Sequence, residues 1–301
     1  MRIVLHPGPH KTATTMVQSA LKTGLGGQIV GGAADARNLA GLADDFRTIR
    51  WAFVALNMKP TKKRVENARQ LLRKFAESAE AMGVTNLVVS DENFLGHPPT
   101  FFVLKHGEAR YYRHNSATAE AIAEAFEPWE VEIVFTTRKQ ETLFPSHYMD
   151  GIRWVRLDMS LDEFWALLLQ EGIDALRFDK LAEPWRDHFG AQKVSHLGYE
   201  LLEEAPDVFM KGISERFHLP PASLALPGKR VNGSLPGFKI ELARQLFRDI
   251  AAGTKERKAA RHELLKAEPL PGQEEIPRPR LSAKSLDEIR AAFADDLSYS
   301  P

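Results

Sequence analysis

The stretch that most constrains this chain lies at its start. Ile3-Val4-Leu5 is a short apolar run of strand character, and Pro7-Gly8-Pro9 breaks it. Lys11-Thr12-Ala13-Thr14-Thr15 follows, opening a helical run over residues 16–21 that stops near Gly24. A strand that turns tightly into a helix beginning with a lysine and three hydroxyls is suited to hold an anion. The first amides of a helix have no intrahelical acceptor, and the helix dipole favours negative charge there. The lysine adds a full charge on a flexible stem.

Composition limits what that anion can belong to. The chain has 301 residues, 44% of them hydrophobic, enough for a sizeable core. Forty basic and forty acidic side chains cancel, so no overall positive field argues for nucleic acid and any anion site must be local. The absence of cysteine excludes disulfides, thiolate catalysis and cysteine-ligated zinc. No apolar run approaches the ~20 residues that span a bilayer. The first strand starts within a few residues of Met1, which leaves no room for a signal peptide. The expectation is a soluble, cytoplasmic protein.

Strand-like and helix-like segments alternate, which predicts an α/β fold with a central parallel sheet flanked by helices. The first strand is placed at residues 3–6. Val65, Ala68, Leu72, Phe75, Ala79 and Met82 recur every three or four positions and predict a helix over residues 62–82, with Gly83 as its stop. Residues 86–90 and 131–136 read as strands, 116–126 as a helix ending before Pro128, 194–199 as a late strand and 206–217 as a late helix. Ser160-Leu161-Asp162-Glu163 has the form of a capping box and opens a helix to about Gln170. Residues 94–115, rich in aromatic side chains and prolines, read as a long loop. Residues 251–285, charged and carrying Pro269, Pro271, Pro277 and Pro279, read as a partly mobile surface excursion. No internal repeat and no second domain is apparent, so residues 1–301 are taken as one domain.

The N-terminal loop is close to a nucleotide P-loop, G-x-x-x-x-G-K-[ST], but His10 fills the place of the glycine before the lysine. A tighter match is the loop P-K-[ST]-G-[TS]-[TS] or K-T-G-T-T, set after the first strand. Lys11-Thr12-Ala13-Thr14-Thr15 resembles this loop of the PAPS-dependent sulfotransferases (PAPS is 3′-phosphoadenosine 5′-phosphosulfate), with similarity to the bacterial, carbohydrate-acting members. Ala13 stands where that family usually has glycine; it suits a helical first turn but crowds the backbone more than glycine. The resemblance implies the P-loop-containing, nucleotide-kinase-like sulfotransferase fold. It also implies donor contacts from His10, Lys11, Thr12, Ala13, Thr14 and Thr15.

Three further segments follow in the family's order. Val88-Val89-Ser90-Asp91-Glu92 is an apolar strand ending in two carboxylates, and ligands of open α/β sheets bind beyond the carboxyl ends of the strands. Carbohydrate sulfotransferases carry a glutamate at a comparable place, and by that resemblance Glu92 is the general base. Asp91 is the capping residue of the pair. Next, Val134-Phe135-Thr136-Thr137-Arg138 is a strand ending in arginine, with Ser146 eight positions on. Eight helical residues make about two turns, so both side chains reach one anion. The family uses R-x7-S to grip the donor's 3′-phosphate, and here Lys139-Gln140 replaces its usual Asp-Pro pair while Pro145 precedes the serine. Last, Lys229-Arg230-Val231-Asn232-Gly233-Ser234 precedes an amphipathic helix from about Pro236 and resembles the family's late basic loop, which makes Arg230 a third phosphate contact.

The implied reaction is sulfuryl transfer from PAPS to a hydroxyl acceptor, a carbohydrate or polyol, leaving 3′,5′-adenosine diphosphate, with no metal. No pair of histidines has metal-ligand spacing with carboxylates. His97 and His147 stand as alternative bases, because cytosolic small-molecule sulfotransferases use histidine. Trp51, Phe53, Phe101, Phe102, Tyr111, Tyr112 and Trp154 are candidates for an acceptor platform. Two rival readings stay open: a kinase or ATPase using Mg-ATP on Lys11-Thr12, and a nucleotide-binding protein of the same fold without turnover. The acceptor's identity and the oligomeric state have no signature in the sequence.

Overall fold

The structure is a computed structural model, described here for residues 1–24, 29–31, 42–107, 109–154, 157–220, 224–226, 235–250, 254–273 and 275–299. Its strands are β1 (Arg2–His6), β2 (Ile29–Gly31), β3 (Asn86–Ser90), β4 (Glu130–Thr137) and β5 (Val194–Gly198). They form one parallel sheet in the order β2-β3-β1-β4-β5. Helices α1 (Thr14–Gly24), α2 (Leu42–Met58), α3 (Lys62–Ala81), α4 (Pro99–His106) and α5 (Asn115–Phe126) accompany the first three strands. Then come α6 (Gln140–Arg153), α7 (Leu161–Leu169), α8 (Phe178–Phe189), α9 (Glu200–Glu204) and α10 (Pro206–Arg216). The chain closes with α11 (Gly237–Asp249), α12 (Lys255–Lys266) and α13 (Ala283–Phe293).

Strand alternation sorts the two faces. Ile3, Leu5, Leu87, Val89, Ile133 and Phe135 point into a large core filled by Phe53, Phe75, Phe126, Phe144, Phe164 and Trp185. Val4, Val88, Val134 and Leu197 point the other way, onto Val17, Ala20 and Leu21 of α1 and Phe209, Met210 and Ile213 of α10. Helices thus cover both faces, as a parallel sheet requires. The chain from β1 leads away through α1 toward β2, and that from β4 leads through α6 to α8 toward β5 on the opposite side. Crossovers diverge between the neighbouring strands β1 and β4, and a ligand crevice is expected at such a switch point.

Local chemistry explains the boundaries. Thr61 caps α3 by accepting from the Arg64 amide, and Gly83, at φ 82°, lets the chain turn away after it. Ser160 and Glu163 close the expected capping box at the start of α7.

One sequence expectation is corrected. Residues 94–115 are not one long loop, because Pro99 opens α4 and Gly107, left-handed at φ 68°, ends it. Proline at the first helical position loses no hydrogen bond, so the Pro98-Pro99 pair marks a helix start. Within 251–285, most described residues lie at the surface; α12 runs through the segment, and Arg257, Leu264 and Leu281 are its buried anchors. Helices α2, α8, α9 and α13 and strand β2 are additions. In α8 Pro184 sits within the helix, where proline ordinarily signals an end.

Candidate active site

The loop after β1 is braced from beneath by polar side chains on the thinner face of the sheet. There the strands carry apolar Val4, Val88 and Val134, then turn polar two residues later at His6, Ser90 and Thr136, all buried. His6 Nδ1 lies 2.8 Å from Ser90 Oγ, and its Nε2 lies 3.3 Å from Thr136 Oγ1. Thr136 Oγ1 is 2.7 Å from Thr12 Oγ1, which donates to the Pro9 carbonyl at 2.6 Å. That last bond sets the order of the protons. With the Thr12 hydrogen spent on Pro9, Thr136 donates to Thr12, His6 Nε2–H donates to Thr136, and Ser90 donates to Nδ1. The imidazole is therefore neutral, in agreement with burial holding its pKa down to about 3. Gly8 packs so closely that a Cβ there would meet Thr14 Oγ1 at 2.6 Å and His6 Nε2 at 2.8 Å. Glycine at this position is therefore a packing requirement.

Lys11 and Ala13 both have left-handed backbones, with φ of 70° and 74°. Ala13 is thus not part of a helical first turn as expected. It occupies a corner that glycine would adopt without strain. Such corners bend successive amides toward one point, the geometry of an anion-binding nest. Among the described residues, the amides of Ala13, Thr14 and Thr15 donate to no other group of the chain. The His10 amide does not join them: it donates to the Tyr112 hydroxyl at 2.7 Å, and the two rings stack with centroids 5.9 Å apart. Thr14 Oγ1 is turned back to the Gly8 carbonyl at 3.2 Å, whereas Thr15 is exposed at the start of α1.

Arg138, at the end of β4, reaches across the switch point. Its Nη1 donates to the Lys11 carbonyl at 3.0 Å, its Nε donates to Thr142 Oγ1 at 3.0 Å, and its guanidinium lies 4.1 Å from the centre of the Tyr199 ring. Burial lowers its pKa, opposed by Tyr199, Glu203 and Glu200. Ser146 is half-buried on α6, a continuous helix that carries Pro145 inside it. Arg230 lies outside the described residues.

Glu92 follows β3 in a short 3-10 turn that Asp91 caps by accepting from the Asn93 amide, as the sequence led one to expect. Gln18 of α1 donates through Nε2 to Glu92 Oε2 at 3.2 Å and to the Ser90 carbonyl at 3.1 Å. The helix that opens with the lysine loop therefore also holds the candidate base. Asp91 faces Arg50 at 3.6 Å, and burial, then the charge of Glu92, raise its carboxyl to about 6.

On α6, His147 is buried, and among the described residues neither ring nitrogen has a hydrogen-bond partner. Burial, then the charges of His10, Lys11 and Arg138, hold its pKa well below the ordinary value. One turn later, Asp150 Oδ1 accepts from Lys11 Nζ at 3.2 Å. His97 stacks on Phe101 at 3.9 Å. Of the aromatic candidates, the Phe102 side chain lies outside the described residues, and Phe53, Trp51 and Trp154 do not share one surface. Phe53 packs on Phe94 within the core, Trp51 is 66% exposed on α2, and Trp154 lies under Arg261. Among the described residues no group of three or more His, Asp or Glu side chains is disposed to hold a metal ion. No helix of the described residues is long and apolar enough to cross a membrane.

Sequence reading named Lys11, Glu92 and Arg138 but missed what holds them. Asp150, Gln18 and Tyr199 come from other elements and carry no motif. Asp150 alone had a signal, since it continues the helical face of Ser146 and His147.

No protein-family model matches the chain, and no curated protein does. Among solved structures, a sulfotransferase from Alicyclobacillus acidocaldarius is similar at 12% identity and a TM-score of 0.43, over 91% of this chain and 98% of the other. The sulfotransferase domain from the curacin biosynthetic pathway is similar at 10% identity and a TM-score of 0.43, over 99% of this chain and 98% of that one.

Proposed function

We propose that this protein transfers a sulfuryl group from PAPS to a hydroxyl acceptor of carbohydrate or polyol type. The observation that carries the reading is the joining of Lys11 and Arg138 across the switch point, by a 3.0 Å hydrogen bond from one's guanidinium to the other's carbonyl. A ligand that spans the two must carry anionic groups at two points, and a bisphosphorylated nucleotide does. The unengaged amides at Ala13, Thr14 and Thr15 supply further donors at the lysine end.

In this reading Arg138 and Ser146 fix the 3′-phosphate, with Arg230 as a third contact. An arginine fork suits phosphate because it donates two parallel hydrogen bonds. His10 and Thr12 shape the loop: Tyr112 holds the one and the His6 network anchors the other. As the acceptor oxygen bonds to sulfur, the bond from sulfur to the bridging phosphate oxygen breaks and charge grows on that oxygen. Lys11 and the loop amides stabilise this charge more in the transition state than in the ground state. Glu92, held by Gln18, takes the acceptor's proton, a contribution typically of order 10²–10⁴ in rate. No step requires a metal.

Thermal melting with and without magnesium tests the donor. The expected result is stabilisation by 3′,5′-adenosine diphosphate alone, about 2.7 kcal/mol at a hundred times its dissociation constant. Stabilisation only by Mg-ATP overturns the reading in favour of a kinase. With labelled PAPS and polyol acceptors, Glu92→Gln should lose turnover and keep nucleotide affinity. Turnover that survives removes Glu92 from its role.

A further inference from the structure

The mechanism above uses Lys11 but gives no part to the carboxylate bound to it. Asp150 Oδ1 stands 3.2 Å from Lys11 Nζ, and the two side chains are 16% and 25% exposed. Asp150 shares a helical face with His147 and Ser146, three and four positions before it, so this face of α6 looks onto the lysine loop. Among the described residues no second cation pairs with Asp150. An anion that draws Lys11 Nζ to itself therefore leaves a largely buried carboxylate without its partner, beside a second negative charge. Uncompensated charge of this kind is costly in proportion to its burial.

We propose that Asp150 is a positioning residue that sets the threshold for anions at Lys11: its carboxylate holds the ammonium and competes with the ligand for it. The inference rests on the reading of Lys11 as the donor-binding cation. A ligand that touches only the lysine loop must displace Asp150 unaided and binds weakly. One that is also gripped at Arg138 brings enough additional interaction to take the ammonium. The pair thus raises the interaction that any anion must bring to Lys11, a requirement that a doubly anchored nucleotide meets.

The test is a double-mutant cycle read by titration calorimetry with 3′,5′-adenosine diphosphate. A partly exposed ion pair contributes up to about 1 kcal/mol, so Asp150→Asn should bind up to about fivefold tighter than wild type. The gain should be smaller in a Lys11→Ala background, where only the repulsion between Asp150 and the anion is left to relieve, a coupling that a merely structural role of Asp150 would not produce. Asp150→Ser serves as a second variant should the asparagine protein fold poorly. Unchanged or weaker binding in Asp150→Asn overturns the proposal, as does a gain of undiminished size without Lys11. Nucleotide-free acylation of Lys11, followed by mass spectrometry, separates this from failure of the functional reading. Labelling should be faster in Asp150→Asn whatever the nucleotide, and an unchanged rate overturns the hold. A wild-type protein that ignores 3′,5′-adenosine diphosphate refutes the donor assignment while the labelling still decides the pair.

Discussion

On one face of the sheet, Ile3, Leu5, Ile133 and Phe135 meet a deep layer of aromatic side chains from α2, α3, α5, α6, α7 and α8. On the other, Val4, Val88 and Val134 meet a thinner layer from α1 and α10, and the next inward positions are His6, Ser90 and Thr136. The first face is held by burial, which tolerates small shifts in any one contact. The second ends in a chain of hydrogen bonds whose proton order is set by a single donor, Thr12. The difference shows why the site lies where it does: hydrophobic packing makes the platform rigid, and the polar row fixes where the loop sits on it.

The comparison is broken most severely on the thick face. Trp185 is fully buried, edge-on to Phe135, and donates to Asn115 Oδ1 at 2.8 Å. Trp185→Ala should cost about 3–5 kcal/mol in urea unfolding. Where the protein stays folded, its affinity for 3′,5′-adenosine diphosphate should be little changed. A large loss of affinity would mean that the faces are not separable in function.

On the thin face, His6→Leu leaves Ser90 and Thr136 without their shared partner and should cost about 1–3 kcal/mol, with nucleotide affinity falling in parallel. The pH dependence has a definite sign. The folded pKa, about 3, lies below the ordinary 6.5, so the unfolded chain binds the extra proton. The stability His6 confers is complete above pH 6.5 and is lost as the pH falls toward 3, on the order of 5 kcal/mol in all. The Asp91 carboxyl, raised to about 6, acts oppositely and loses stability as the pH rises through that value. Only the difference between wild type and His6→Leu, measured from pH 7 to 3.5, isolates the histidine. A flat difference would refute the neutral buried imidazole.

The smallest effect sharpens the picture of the loop itself. Ala13 at φ 74° bears a left-handed strain that Ala13→Gly relieves, partly offset by glycine's freer unfolded chain. A net gain of about 0.5–1 kcal/mol is expected in thermal melting. A loss would show that the methyl group packs usefully.

Much of the frame was legible because its signals are local. The α3 stripe, the capping box at Ser160 and the apolar strands each depend on neighbours within a few residues, and all three lie where expected. The helix α8 was hidden by Pro184, and α2 by an apolar Trp51 on its exposed side, which blurs the stripe. In the candidate site, a lysine after a strand and an arginine after another were visible as types. Their partners were not: Tyr112 and Asp150 lie 102 and 139 positions from the loop residues they hold. The left-handed corner at Ala13 was missed because alanine rarely announces one.

The order of strands has a consequence for the growing chain. β1 is the earliest strand and occupies the middle of the sheet, yet the partners of its last residue, Ser90 and Thr136, come 84 and 130 positions later. At ribosomal speeds of ~5–20 residues per second, that is a wait on the order of 10 s. Until β3 is made the nascent polypeptide carries an Ile-Val-Leu segment with both edges open, and until β4 is made with one, a target for chaperones and for stray association. Slower translation or cooler expression would lengthen or blunt that hazard, and the yield of native protein should follow.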